Sequence, residues 1–305
     1  LEYVGNMGLR VPMGSGGREQ NRQINFLPAR YLALGQGLSA TLPNPFFGVI
    51  TIPGTLSQPN ISKANLLKTY PQFTSVDMLR QTEGKSYYHS LQSSITRRYA
   101  AGIQTGFTYT WSKQMERLRF IDVTDPGPSK MIGEYDRPHR LTLNLIWDLP
   151  FGRNKAVPVN DAILNKIVGG WQLNALHIYQ SGGPISLGDL IPTGVSPKLS
   201  GEKSVDRWFN IDAFKIFPAY TARTLPNLLT TLRNDNQNVW DLSVAKNTSI
   251  VGERIRTQFR FEMFNALNRV QMGNPTISPG SATNGAIFSQ SNTPRELQFG
   301  LKLIF

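Results

Sequence analysis

The 305-residue chain contains no cysteine, which excludes a disulfide framework, thiolate metal sites and cysteine nucleophiles. It has three histidines, His89, His139 and His177, far apart and without HExxH or His-x-His spacing, so no zinc centre is expected. Charge is also scarce: 17% of residues are Asp, Glu, Lys or Arg, against about 25% in ordinary soluble domains. What charge there is leans one way, with Lys+Arg 32 against Asp+Glu 20 and a net +12. With 40% hydrophobic and 10% aromatic residues, this is not a disordered polycation. The basic residues are scattered rather than grouped in a stripe, so nucleic acid is not an expected partner. No stretch supplies the roughly 20 apolar residues of a transmembrane helix; the longest charge-free run, Tyr31 to Ser62, is broken by Pro43, Pro45, Pro53 and Pro59. The chain starts at Leu1 without a basic segment and apolar run of signal-peptide type, and reads as the mature or C-terminal portion of something longer.

Helical periodicity is rare. One short candidate covers Asp161 to Val168, where Ile163, Leu164, Ile167 and Val168 share a face before Gly169 and Gly170 end it. Period-two alternation is common instead. Leu297, Phe299, Leu301, Leu303 and Phe305 share one face of the last segment, opposite Glu296, Gln298, Gly300 and Lys302. The same pattern runs through Ile255, Thr257, Phe259, Phe261 and Met263, through Leu141 to Leu149, and through Ile103 to Trp111. The spacing predicts eight strands: Leu1–Val11, Ser86–Tyr99, Ile103–Trp111, His139–Leu149, Trp171–Ser181, Val239–Ile250, Arg254–Phe264 and Glu296–Phe305.

At about 9 to 14 residues these segments exceed the 5 or 6 typical of soluble strands. They match the roughly 9 to 11 residues a tilted strand needs to cross a bilayer. Tyr109, Trp111, Tyr99, Trp147, Trp171 and Tyr179 fall near strand ends, where aromatic girdles form. The fold class expected is therefore all-β, an antiparallel transmembrane barrel portion of about eight long strands with large external loops. If the last strand ends on the periplasmic side, the links Ala100–Gly102 and Val251–Glu253 become tight periplasmic turns. Pro12–Lys85, Ser112–Pro138, Gly182–Asn238 and Asn265–Arg295 become long external segments, the usual barrel asymmetry. The link Pro150–Gly170, with its short helix, departs from that habit.

Several phrases, in order along nearly the whole chain, resemble one known family. They include Leu1-Glu-Tyr-Val-Gly-Asn-Met-Gly-Leu-Arg10, Tyr87-Tyr-His-Ser-Leu-Gln92, Phe107-Thr-Tyr-Thr-Trp-Ser-Lys113 and Arg137-Pro-His-Arg140. Leu149-Pro-Phe-Gly152, Gln180-Ser-Gly-Gly-Pro184, Arg260-Phe-Glu-Met-Phe-Asn-Ala-Leu-Asn268 and the closing Gln298-Phe-Gly-Leu-Lys-Leu-Ile-Phe305 continue the series. The chain resembles the C-terminal barrel portion of TonB-dependent outer-membrane receptors of the Oar-like group, which carry an N-terminal carboxypeptidase-regulatory-like domain. That resemblance implies a 22-stranded plugged barrel, with the plug, the TonB contact and the regulatory-like domain upstream of Leu1. It also implies that Phe299, Leu301, Leu303 and Phe305 form the signal read by the outer-membrane assembly machinery, which works by strand addition.

Few side chains suggest chemistry. Asp122 and Asp125 lack the ligand spacing of an EF-hand and read as turn formers. Arg254, Arg256, Arg260 and Glu262 are the candidate lumen wall, either lining a substrate path or, more simply, pairing with an acidic plug. Trp208 and Phe209 are candidate external-loop contacts, able to stack on a sugar or peptide or to pin their loop at the barrel mouth. His139 has no triad-like partners. No catalytic, cofactor or metal residues are expected, and the chain does not read as an enzyme. The functional expectation is uptake of a scarce nutrient (oligosaccharide, peptide or siderophore) at the outer membrane of a Gram-negative-type bacterium. The alternatives are a non-transporting barrel for adhesion or surface signalling, and a soluble β-rich carbohydrate-binding protein.

Overall fold

A computed structural model describes residues 1–15, 18–19, 21–251 and 255–305. Eight long strands pair in chain order as one antiparallel meander. They are β1 (Glu2–Val11), β2 (Gly84–Ala100), β3 (Ile103–Arg119), β4 (His139–Asp148), β5 (Trp171–Gln180), β6 (Gln237–Val251), β7 (Ile255–Phe264) and β8 (Glu296–Ile304). The eight predicted strands are all present. Arg254 and the predicted turn through Gly252 and Glu253 lie outside the described residues.

The register brings the apolar positions onto one continuous face. Tyr3 is opposite Leu91, Leu91 opposite Trp111, and Trp111 opposite His139. Further along, Leu143 lies across from Phe107 and His177, and Phe259 across from Leu301. Trp111 is 57% and Leu301 71% exposed on this face, while Ser90 at 3% and Ala245 at 1% are buried on the polar one. The sheet is thus inside out relative to a soluble sandwich. Its apolar side stands bare, while its polar side is sheltered at Ser90, Ser112 and Ala245 and open along β7 and β8, as in a wall with lipid outside and water inside. On this face Phe259, Leu301 and Leu303 are exposed. Leu143 and Phe261 share that face but are half-buried by neighbouring rings; Phe261 stacks on Phe299 with centroids 4.9 Å apart.

One hairpin has the tight geometry expected of a periplasmic turn. Ala101 and Gly102 both take positive φ, 52° and 80°, between the paired residues Ala100 and Ile103. Those angles match the twist of the flanking strands, and glycine accepts them without a Cβ clash. Among the described residues β1 pairs only with β2, and β8 only with β7, so each presents one unpaired edge.

Two expectations need correction. Strand β3 does not stop at Trp111 but continues to Arg119, reaching 17 residues. Beyond Trp111 the outward positions are Lys113, Met115 and Arg117. Above the lipid the pattern that marks a strand is lost, while backbone pairing with β2 persists. The external segments are also not plain loops. Short strands Pro184–Ser186 and Leu228–Arg233 pair, as do Leu190–Pro192 and Phe214–Ile216, each too short for a readable period. The segment 12–83 likewise holds a 3-10 stretch, Ala29–Ser39, and a short helix, Lys63–Leu66.

Candidate functional site

The external segments fold into a cap with an apolar core of its own: Ile185, Leu187, Leu190, Phe214, Leu232 and Ile287 enclose Trp208 and Phe209. The last two are buried by internal packing, and neither ring has a face to offer a sugar. Trp208 donates its indole N–H to the Arg233 carbonyl at 2.8 Å, with Lys203 Nζ 4.5 Å over its ring. Backbone bonds from Trp208 to Gly285 and from Ile287 to Val205 lace segments 181–236 and 265–295 together.

A polar cluster fastens this cap to the outer end of the wall. Asp136, 1% exposed, accepts the Gln114 backbone N–H at 2.7 Å through one carboxylate oxygen. Its other oxygen accepts from Arg233 at 2.6 Å, and Lys113 Nζ stands 3.8 Å away. Arg233 also donates to the Asp136 and Gly182 carbonyls, both at 3.1 Å. Beside this pair Arg119 bridges Glu134 at 2.7 Å and Glu116 at 3.5 Å. Arg137 donates to the carbonyls of Glu134 and Asp136. Burial first, and then the charge of Arg233, hold the Arg137 pKa below its ordinary value; a guanidinium nonetheless stays charged at neutral pH. Close packing explains the paired glycines here. A Cβ on Gly183 would overlap the Arg137 guanidinium, and one on Gly182 the Asn234 carbonyl.

These groups border a cavity of about 410 Å³ whose wall includes Arg119, Tyr135, Arg137, Asn234, Leu228 and Asn274. Asn234 Oδ1 is buried and, among the described residues, has no hydrogen-bond partner. The lining joins two guanidinium groups, the Glu134 carboxylate that pairs with Arg119, a phenol, a hydroxyl and amides to apolar patches, a mixed polar setting for a small hydroxyl-bearing molecule. Sequence reasoning missed Asp136, Arg233 and Glu134, which carry no spacing signal. The one hint was that Asp136 immediately precedes the Arg137-Pro-His-Arg140 phrase.

The residues singled out from sequence are dispersed. Arg256, Arg260 and Glu262 lie on the polar face of β7, and Arg260 and Glu262 pair at 3.7 Å. They do not join the cap cavity. Phe299, Leu301, Leu303 and Phe305 lie along the apolar side of the edge strand β8 and its end. Asp122 and Asp125 form a turn closed on itself. Asp122 accepts from the Thr124 backbone and hydroxyl and from the Arg223 N–H, and Asp125 accepts from the Asp122 N–H. His139 Nδ1 hydrogen-bonds the Tyr109 hydroxyl at 2.8 Å on the lipid-facing side.

A bare apolar face, a polar opposite face, an all-antiparallel meander and a large cap at one end together define the wall of an outer-membrane β-barrel. The comparison with family models agrees. The model for the outer membrane beta barrel domain matches residues 1–298, and the chain belongs to that family. Neither the comparison with curated proteins nor that with solved structures found a match. The protein is an outer-membrane barrel protein, and the soluble carbohydrate-binding alternative is set aside.

Proposed function

We propose that the chain is the wall and external cap of a TonB-dependent receptor that takes up a scarce nutrient. The observation that carries this reading is the polar cavity beside a cap that is locked to the barrel mouth through Asp136 and Arg233. A cap with its own core and a polar pocket suits capture of a dilute molecule better than a passive wall does. The unpaired edges of β1 and β8 support a larger barrel completed by further strands. In this reading a plug and a TonB contact precede the present segment, and energy delivered there releases the captured ligand inward.

The test compares cells with and without the protein, each growing on an oligosaccharide, a peptide or an iron chelate as limiting nutrient. On the right nutrient, growth should require the protein and fail when the proton-motive force is collapsed. Correctly inserted protein with no nutrient dependence would overturn the uptake reading and favour adhesion or surface signalling.

A further inference from the structure

The connection from β4 to β5 breaks the short-turn habit of the periplasmic side, and its packing suggests why. Its helix, Ala162–Val168, is capped by Asp161, whose side chain accepts the Ile163 and Leu164 N–H groups. Ile163, Leu164 and Ile167 are exposed on it, and Phe151 and Val157 are exposed in the preceding turn. The helix is held by two side chains from the apolar face of the wall. Trp171 donates its indole N–H to the Ile167 carbonyl at 2.9 Å, and Lys246 donates to the carbonyls of Ile167 and Gly169. Trp171 and Lys246 are cross-strand neighbours on that same face, in line with Phe259. The helix therefore sits at the lipid-facing rim, and its apolar residues continue the lipid-facing surface.

Directly beside it is a cavity of about 340 Å³ lined by Arg153, Lys155, Lys166 and Lys246, with Asn165, Asn247, Thr248 and Ser249 as further polar groups and, among the described residues, no carboxylate in the lining. Among the described residues Asp148 stands 3.7 Å from Lys155 and partly compensates it. Seven residues are too few to bind a membrane alone. Tethered to the wall, they need only be oriented, with apolar side chains in the acyl boundary and cations at headgroup level.

We propose that this rim is a docking site for an anionic phospholipid of the inner leaflet, with its phosphate among Arg153, Lys155 and Lys166 and its acyl chains against Ile163, Leu164 and Ile167. The charge complementarity and the continuity with the lipid-facing surface both select lipid as the occupant. The inference stands on the barrel fold and does not depend on nutrient uptake.

The test uses the full chain purified in detergent and exchanged into mixed micelles of phosphatidylglycerol and phosphatidylcholine, with bound lipid read by native mass spectrometry. Wild type should retain phosphatidylglycerol preferentially. An Arg153→Gln, Lys166→Gln double variant should lose that preference by about 25-fold, since each cation near an anionic surface contributes about fivefold. Ile163→Ser with Ile167→Ser should reduce retention of phosphatidylglycerol itself while leaving the cations in place. Lys166 is exposed on the helix, so Lys166→Gln alone keeps the test valid if the double variant fails to fold. Four results would overturn the proposal: equal retention of both lipids, an unchanged preference in the Lys166→Gln variant, a stable dimer formed through this helix, or inorganic phosphate displacing the lipid completely. The last would make the cavity a free-anion site, and a stable dimer formed through this helix would show that a second copy covers it.

Discussion

Replacing Asp136 with alanine should loosen the cap while leaving the wall intact. Its carboxylate is almost wholly buried and accepts two hydrogen bonds, from the Gln114 N–H and from Arg233. Each bond to a charged group contributes roughly 1.5–3 kcal/mol, and breaking a buried ion pair costs roughly 3–5 kcal/mol. The lower end applies here. Arg233 is 19% exposed and keeps its bonds to the carbonyls of Gly182, Thr230 and residue 136 itself. A loss of about 3 kcal/mol in the free energy of opening the cap corresponds to about a hundredfold more open cap. Limited proteolysis in detergent micelles reads this directly, because cleavage tracks the open population when reclosing is fast. Cleavage should rise within segments 120–138 and 181–236. Asp136→Asn keeps an acceptor for the Gln114 N–H but loses the charge, and should fall between wild type and alanine. If Asp136→Ala leaves cap cleavage within a factor of about two of wild type, the carboxylate is not the lock and the argument fails.

Three further outcomes are expected. Leu143→Arg places a charge on the lipid side of a central strand and should cost roughly 2–4 kcal/mol in a bilayer, whereas Thr142→Arg, one residue away on the polar side, should be tolerated; equal refolding yields in vesicles would contradict the assignment of faces. Burial by itself would raise the Asp122 pKa, but hydrogen bonds from Arg223 and Thr124 and the charge of Arg223 hold it below 3.8. Asp122 therefore stabilises the folded cap fully above that value and progressively less as pH falls through the lower folded-state pKa; Asp122→Asn should remove this part of the acid limb in a fluorescence melt series, and an unchanged limb would refute it. Phe305 is 96% exposed, so Phe305→Ala should cost only a small fraction of the roughly 3–5 kcal/mol of a core Phe→Ala. The variant should refold in micelles like wild type yet accumulate poorly in outer membranes; equal abundance in cells would leave Phe305 as an ordinary rim aromatic.

What the sequence determined by itself was the wall. Period-two alternation is a local property, written in each strand by which side chains meet lipid, so all eight strands, and the apolar faces holding Trp111, Leu143 and Phe259 within their own strands, were legible residue by residue. Ile163, Leu164 and Ile167 likewise announced a short helix. The tertiary structure alone decided what lies beyond the lipid. The outer end of β3, with Lys113 and Arg117 facing outward, carries no alternation because neither side meets hydrocarbon there, and only its pairing with β2 makes it a strand. The cap core joins Trp208 to Ile287, and the lock joins Asp136 to Arg233, 97 residues apart. Trp208 and Phe209 read as able either to stack on a ligand or to pin their loop, and only the closed core shows them packed inside the cap. The place of the helix on the lipid-facing rim depends on Trp171 and Lys246 reaching its last carbonyls. Contacts between distant segments leave no period in a single chain, because each partner needs only the right polarity at one position and the chain between them brings the two together.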